Sequence, residues 1–301
     1  MGLIRFGESD ELIDICRDNV FKAVFTRNTP ESRKALCRLL SAIIGRELTV
    51  IAITANEPPI DNLRDRQIRF DITCKGKNEE LANVEMSLNP DAYEPVRLEF
   101  HAGKLFTGQE IRGREKTYDD LKEAYQIAIL ARGRFFADDE FLHGFEYYDP
   151  ERKIALGGRS RIITLELSKL DKVVEKPVGS MTMAERWGIF FRYITDKSKR
   201  EKINELVEEE EGIAMAGEVL QRISKDEVER AWLASEYKYA VDTQSKVVQA
   251  RREGRQEGRQ EEHMRAYQEK LEGARKLKQM GVPADTIAMS LGLLPDEVAK
   301  L

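Results

Sequence analysis

The chain has 301 residues, 41% hydrophobic and 34% charged, with a formal net charge of -5, which suits one core domain of ordinary size plus a smaller, more polar region. No apolar run approaches the length of about eighteen residues that a membrane helix needs, and the start, MGLIRFGESDELIDICRDN, is too acidic and too weakly apolar for a secretory signal, so a cytoplasmic protein with no membrane partner is expected. Cys16, Cys37 and Cys74 are odd in number and set among apolar neighbours, which argues against a disulfide frame or a zinc site, and the acidic balance leaves any nucleic-acid contact to local basic patches.

Between Asp18 and Gly45 the apolar residues Phe21, Phe25, Leu36, Leu39, Leu40, Ile43 and Ile44 recur at helical spacing, and Pro30 divides the stretch into two helices. The second has Thr29 as N-cap, Pro30 at its first position and Gly45 at its close. ELTVIAITA reads as a strand, and NEPPIDNLRD as a loop that its prolines keep out of a sheet interior. FDITCK and ANVEMSL are two further strands joined by a polar turn, and helical spacing returns from Pro95 with Leu98, His101, Leu105 and Phe106. EAYQIAIL, EFLHGFEYY and RIITLELSKL complete an α/β pattern of five or six strands. After Pro177 the chain turns helix-rich and charged, with amphipathic stretches around Trp187 and Trp232. RREGRQEGRQEE then spaces Arg251, Arg255 and Arg259 four apart and Glu253, Glu257 and Glu261 likewise, although Gly254 and Gly258 weaken a helix there by about 1 kcal/mol each. A packed glycine notch and a solvated connector are both open readings. The last unit, from Tyr267, breaks at Gly281 and Gly292, restarts at Pro283 and Pro295, and has the outline of a helix-turn-helix.

The two short strands each carry a carboxylate at mid-length. Alternation puts Arg69, Asp71, Thr73 and Lys75 on one face of the first strand, and Asn83, Glu85 and Ser87 on one face of the second. Paired as a hairpin, Asp71 and Glu85 can face the same way, within reach of one hard divalent cation such as Mg²⁺, which takes oxygen donors and completes its shell with water and phosphate. The plain alternative is that both acids point to solvent from a half-exposed sheet. No Ser-His-Asp set, phosphate-binding glycine loop or Cys/His cluster is visible, so metal-assisted hydrolysis is the one enzymatic mechanism the sequence suggests.

The order DNVFKAVF, RFDITCK, NVEMS, PVRLEFHAGKLF and YDDLKEAYQIAIL resembles the PD-(D/E)XK nuclease family transposases, or recombination-promoting nucleases, over roughly residues 15 to 175. The resemblance implies a restriction-endonuclease-like core, a central mixed sheet flanked by helices, in a Mg²⁺- or Mn²⁺-dependent DNA endonuclease. It puts the metal ligands on Asp71 and Glu85 and an accessory acid on Asp18. Two residues after the Glu, the family has Lys or Gln, where this chain has Ser87. A serine hydroxyl can bond a water but brings no charge. Lys75 on the neighbouring strand and Lys104 on the following helix are the candidate replacements, each also readable as a solvated surface lysine. A family member that lost catalysis and serves as a DNA-binding or assembly module is the other implied reading.

Around this centre, Arg69, with Arg64 and Arg66, could grip phosphate or pair with nearby aspartates, and Arg97 resembles a family position that approaches the DNA backbone. His101 and His143 lie in apolar segments and read as packed, hydrogen-bonded histidines. The expected organisation is a nuclease-like domain over 1–175, a helical region over 176–248, and a charged helix with a helix-turn-helix-like unit over 249–301. The acidic final helix disfavours groove insertion, leaving docking or homo-oligomerisation through the C-terminal helices as readily expected.

Overall fold

A computed structural model describes residues 4–53, 71–109, 111 and 115–301, with the backbone alone at 239–253, 257, 260, 263 and 299. The two early helices form as their signals predict: α1 is Asp18–Phe25 and α2 is Pro30–Ile44. The Thr29 side chain accepts from Ser32 N, Pro30 opens α2, and Gly45 closes it in the left-handed conformation at φ 79°. Four strands and a helix follow: β1 Val50–Ile53, β2 Ile72–Gly76, β3 Leu81–Ser87, α3 Glu94–Thr107 and β4 Ala124–Leu130. Then come β5 Leu142–Phe145, the two-residue strands β6 Tyr148–Asp149 and β7 Ile154–Ala155, and β8 Ser160–Glu166.

The main sheet has six strands in the order β1-β2-β3-β4-β8-β5. β2 and β3 form the expected antiparallel hairpin, β3, β4 and β8 run parallel, and β5 is an antiparallel edge. EFLHGFEYY thus divides: its first half pairs with β8, while Tyr148–Asp149 leaves for a separate two-stranded ribbon with β7. Both faces of the central strands are buried, for different purposes. On one face Ile72, Cys74, Val84, Met86, Tyr125, Ile127, Ile129 and Leu165 join the main core. The other face carries Thr73, Asn83, Glu85, Gln126, Thr164 and Glu166, all buried polar groups. There α3 packs through Leu98 on Ala128 and Leu130, with Phe135 and Ile162 beside them.

Three helices expected to form a separate region after residue 175 belong to this same core. They are α4 Met183–Tyr193, α5 Arg200–Glu209 and α6 Glu211–Lys225. Trp187 is fully buried, with its ring centroid 5.9 Å from Phe25 and 5.7 Å from Phe191. The close approach of α6 needs Gly212, where a Cβ would collide with Arg38 of α2. Residues 4–14 cross the same helices: Phe6 exchanges backbone bonds of 2.9 and 3.1 Å with the Asn204 side chain, and Ile13 N donates to Ser224 Oγ at 3.0 Å. The compact division therefore falls at Met1–Tyr237 and Lys238–Leu301, not near residues 175 and 248. An amphipathic stripe shows that a helix needs a partner but not which one, which is why the sequence left these helices apart.

α7, Glu227–Gln279, is one continuous helix by backbone, so the GRQEGRQE segment is helical and not a loose connector. A Cβ at Gly254 or Gly258 would meet nothing within 4 Å, so neither glycine serves as a packing notch among the described residues. In the second unit α8 Ala284–Leu291 and α9 Pro295–Ala299 fold back on the end of α7 around Ala274, Ile287, Ala288, Leu293 and Val298.

Candidate active site

The β2–β3 ladder ends at Ile72↔Val84, and the next positions on the two chains are Asp71 and Glu85. They occupy the face of Thr73 and Asn83, as alternation requires. Asp71 lies just before β2, and its Oδ2 accepts from Met86 N at 3.0 Å, which binds it to the residue after Glu85. The two carboxylates are close enough for the charge on Glu85 to raise the pKa of Asp71.

Glu85 is 2% exposed and each of its oxygens is engaged. Arg97 Nη1 donates to Oε2 at 3.0 Å, while His101 Nδ1 and Asn83 Nδ2 meet Oε1, the latter at 2.8 Å. Arg97 also holds the buried Glu94 through its other terminal nitrogen at 2.5 Å. Asn83 Nδ2 reaches Gln126 Oε1 at 2.8 Å as well, carrying the network onto β4. Burial pushes the Glu85 carboxyl up, but His101, Arg97 and Asn83 outweigh it and hold the group below its ordinary value.

Asp71 has the opposite balance. Its Oδ1 lies 3.1 Å from Lys22 Nζ, and the same ammonium is 3.0 Å from Asp18 Oδ2. Burial pushes the Asp71 carboxyl up to about 7; Asp18 and Glu85 add to the rise, and Lys22 with the Met86 amide only partly offset it. For Lys22, burial alone would favour the neutral amine, yet Asp71 and Asp18 carry its pKa above the ordinary lysine value. One carboxylate is thus strongly neutralised by its surroundings and the other is not.

The remaining expected residues are distributed unevenly. Asp18 comes to Asp71 through Lys22, and Arg97 comes directly to Glu85. Ser87 ends β3 on the Glu85 face, its carbonyl accepting from Ala131 N at 2.9 Å. Lys104 stands seven residues after Arg97 and three after His101 along α3, so it shares their stripe. Lys75 is not brought to Asp71: it sits at the turn end of the hairpin, where Nζ bonds Glu79 Oε1 at 2.6 Å. Four strand residues span about 13 Å, beyond the reach of its side chain. Arg64, Arg66 and Arg69 lie outside the described residues. His143 is hydrogen-bonded as expected, to Asp138 Oδ1 at 3.0 Å. Lys22, the Glu85 partners His101 and Asn83, and Gln126 behind Asn83 were missed as site residues. The DNVFK segment held the signal for Lys22, since its lysine stands one turn from Asp18.

Among known families, residues 15–250 match the PD-(D/E)XK nuclease family transposase. The chain belongs to this family. The PD-(D/E)XK match extends through α4–α6 and into α7, in agreement with the core those helices share. The six-stranded mixed sheet flanked by helices is consistent with a PD-(D/E)XK restriction-endonuclease-like fold. No curated protein and no solved structure matches the chain.

PD-(D/E)XK nucleases are generally dependent on divalent metal. The donors present here suit a hard cation: two carboxylates from adjoining strands on one face, one of them short of neutralising charge. Among the described residues no three His, Cys, Asp or Glu side chains are grouped to hold a metal. An ion at this pair would therefore draw further oxygens from water and phosphate, with Arg97 and His101 yielding some of their hold on Glu85.

Proposed function

We propose that this protein is a divalent-metal-dependent DNA endonuclease of the recombination-promoting type, with Asp71 and Glu85 as the ligands of Mg²⁺ or Mn²⁺. The observation that carries this reading is the uneven pair at the end of the β2–β3 ladder, with Asp71 pushed up to about 7 beside a buried Glu85. Buried like charges opposite each other on neighbouring strands repel, and a bound cation would offset that repulsion. When bound, the ion supplies Lewis acidity and a more acidic water. This chain's residues do the rest. The Met86 amide orients Asp71, while Asn83 and His101 orient Glu85. Arg97, 42% exposed at its side chain, presents positive charge beside the pair where a phosphate would arrive. Ser87 can donate its hydroxyl to the attacking water from the end of β3.

A supercoiled plasmid incubated with the whole protein, with Mg²⁺ or Mn²⁺ and with chelator, tests the reading. Metal-dependent nicking that Asp71→Asn abolishes is expected. Either ion should also raise the melting temperature of the wild type and leave that of Asp71→Asn unchanged. Nicking that persists in chelator would overturn the reading.

A second reading is favoured by one specific observation: Glu85 is held on both oxygens by groups of this chain, and Ser87 brings no charge. On that reading the site is catalytically impaired, and the family member binds DNA or assembles through its C-terminal helices. DNA binding by an inert wild type, with no metal-induced change in melting temperature, would favour it.

A further inference from the structure

The site lacks a basic residue where the strand of Glu85 ends, and the cations around it are unequally committed. Arg97 is held between Glu85 and Glu94, and Lys75 is paired with Glu79 away from the site. Lys22 differs from both. It arrives from α1, a different element, and among the described residues it makes the single ion pair to Asp71. Its Nζ lies 3.0 Å from Asp18 Oδ2 and 3.1 Å from Asp71 Oδ1. An ammonium has three N–H donors, so these two acceptors leave one donor with no partner among the described residues. The side chain is 31% exposed, so part of it is reachable from outside. Met86 N donates to Asp71 Oδ2, and Lys22 meets the other oxygen, Oδ1.

We infer that Lys22 is the basic residue of this active site, supplying from α1 the charge that Ser87 does not bring from β3, and that its spare donor binds a non-bridging oxygen of the substrate phosphate. The inference rests on the nuclease reading and deepens it. In hydrolysis a water oxygen bonds to phosphorus and one phosphorus–oxygen ester bond breaks. The water proton leaves to solvent, and the leaving oxygen is protonated from solvent. Lys22 stays protonated throughout and offsets the charge that gathers on the phosphate oxygens. Asp18 is then a positioning residue, keeping the ammonium beside Asp71 when a metal claims that carboxylate.

The test uses the whole protein as wild type, Lys22→Met, Lys22→Arg and the double variant Lys22→Met/Ser87→Lys, with melting temperatures to establish folding. Plasmid nicking with Mn²⁺ should fall about a hundredfold in Lys22→Met, and moving the charge to position 87 should restore at least about tenfold. Mn²⁺ affinity by calorimetry should not weaken in Lys22→Met, because the variant removes a competing cation from Asp71. A duplex-binding titration against salt should lose about one unit of slope in Lys22→Met and keep it in Lys22→Arg. Unchanged nicking and unchanged slope would overturn the inference, as would weakened Mn²⁺ binding with no rescue by Ser87→Lys, which would make Lys22 only a support for Asp71. An inert wild type would tell against the nuclease reading alone. In that case the salt slope still decides whether Lys22 contacts phosphate.

Discussion

Arg97 reaches across from α3 to Glu85 on β3, Nη1 to Oε2 at 3.0 Å, and fastens the helix to the strand through a carboxylate that is otherwise almost fully enclosed. A buried ion that loses its partner is costly, whereas an exposed one rehydrates. Arg97→Met takes the shared cation from two buried carboxylates, Glu85 and Glu94, and should destabilise the first unit by about 3 kcal/mol. Glu85→Ala should cost less, because the part-exposed Arg97 rehydrates and keeps Glu94. Urea unfolding of both variants compares the two costs, and the opposite order would show that the bonds from His101 and Asn83, and not Arg97, hold Glu85.

The raised carboxyl of Asp71 makes stability depend on pH in a direction unusual for an acid. Its unfolded value is near 3.8 and its folded value about 7. Across that window the native form binds more protons than the unfolded form, so this group makes stability fall as pH rises from about 4 to about 7 and adds no further change above it. Asp71→Asn removes the titration while an amide oxygen can still accept from Met86 N. The variant should therefore melt higher than the wild type at pH 8, and the gain should shrink towards pH 4. A gain that is constant with pH would place the effect elsewhere.

Lys75 gives a sharp negative expectation. Its partner is Glu79 at the turn of the hairpin, and strand geometry keeps it away from Asp71. Lys75→Ala should leave plasmid nicking within about threefold of wild type, well short of the hundredfold loss typical of a lost electrostatic contact at the reacting centre. A loss of that larger size would mean that the hairpin rearranges when DNA binds.

The packing of α6 on α2 yields a test of the fold that does not touch the site. A methyl at Gly212 would run into Arg38, with Trp187 close behind. Gly212→Ala should cost on the order of 2 kcal/mol, against the gain of a few tenths that the same change brings at an open helical position. Gly254→Ala, with nothing within 4 Å of the added Cβ, is the matched control and should be neutral or stabilising.

What the sequence could reveal was whatever repeats at short range. The Thr29–Pro30 start, the Gly45 stop and the shared face of Asp71 and Glu85 follow from caps and from a period of two, and each was legible. The partnership of Lys22 with Asp71 joins α1 to the start of β2, and no local pattern encodes it. His101 read as an ordinary packed histidine because a hydrogen bond to a buried acid and a bond to a backbone carbonyl look alike in sequence. The run of Thr73, Asn83 and Gln126 was hidden for a related reason. Polar residues alternating along a strand signify solvent unless a helix covers them, and here α3 does.

The crossing of residues 4–14 over α5 and α6 bears on how the molecule is made on the ribosome. Phe6 and Ile13 find their partners 198 and 211 positions downstream, at Asn204 and Ser224, and Phe25 of α1 packs on Trp187. At roughly 5–20 residues per second, about 10–40 s separate the emergence of this segment from that of the residues that receive it. During that interval the side of α1 that packs on Trp187 and Phe191 is uncovered. The centre is therefore assembled only after most of the first unit has been synthesised. A chain interrupted between β8 and α6 would carry both strand acids and still lack the docked helix that completes their surroundings.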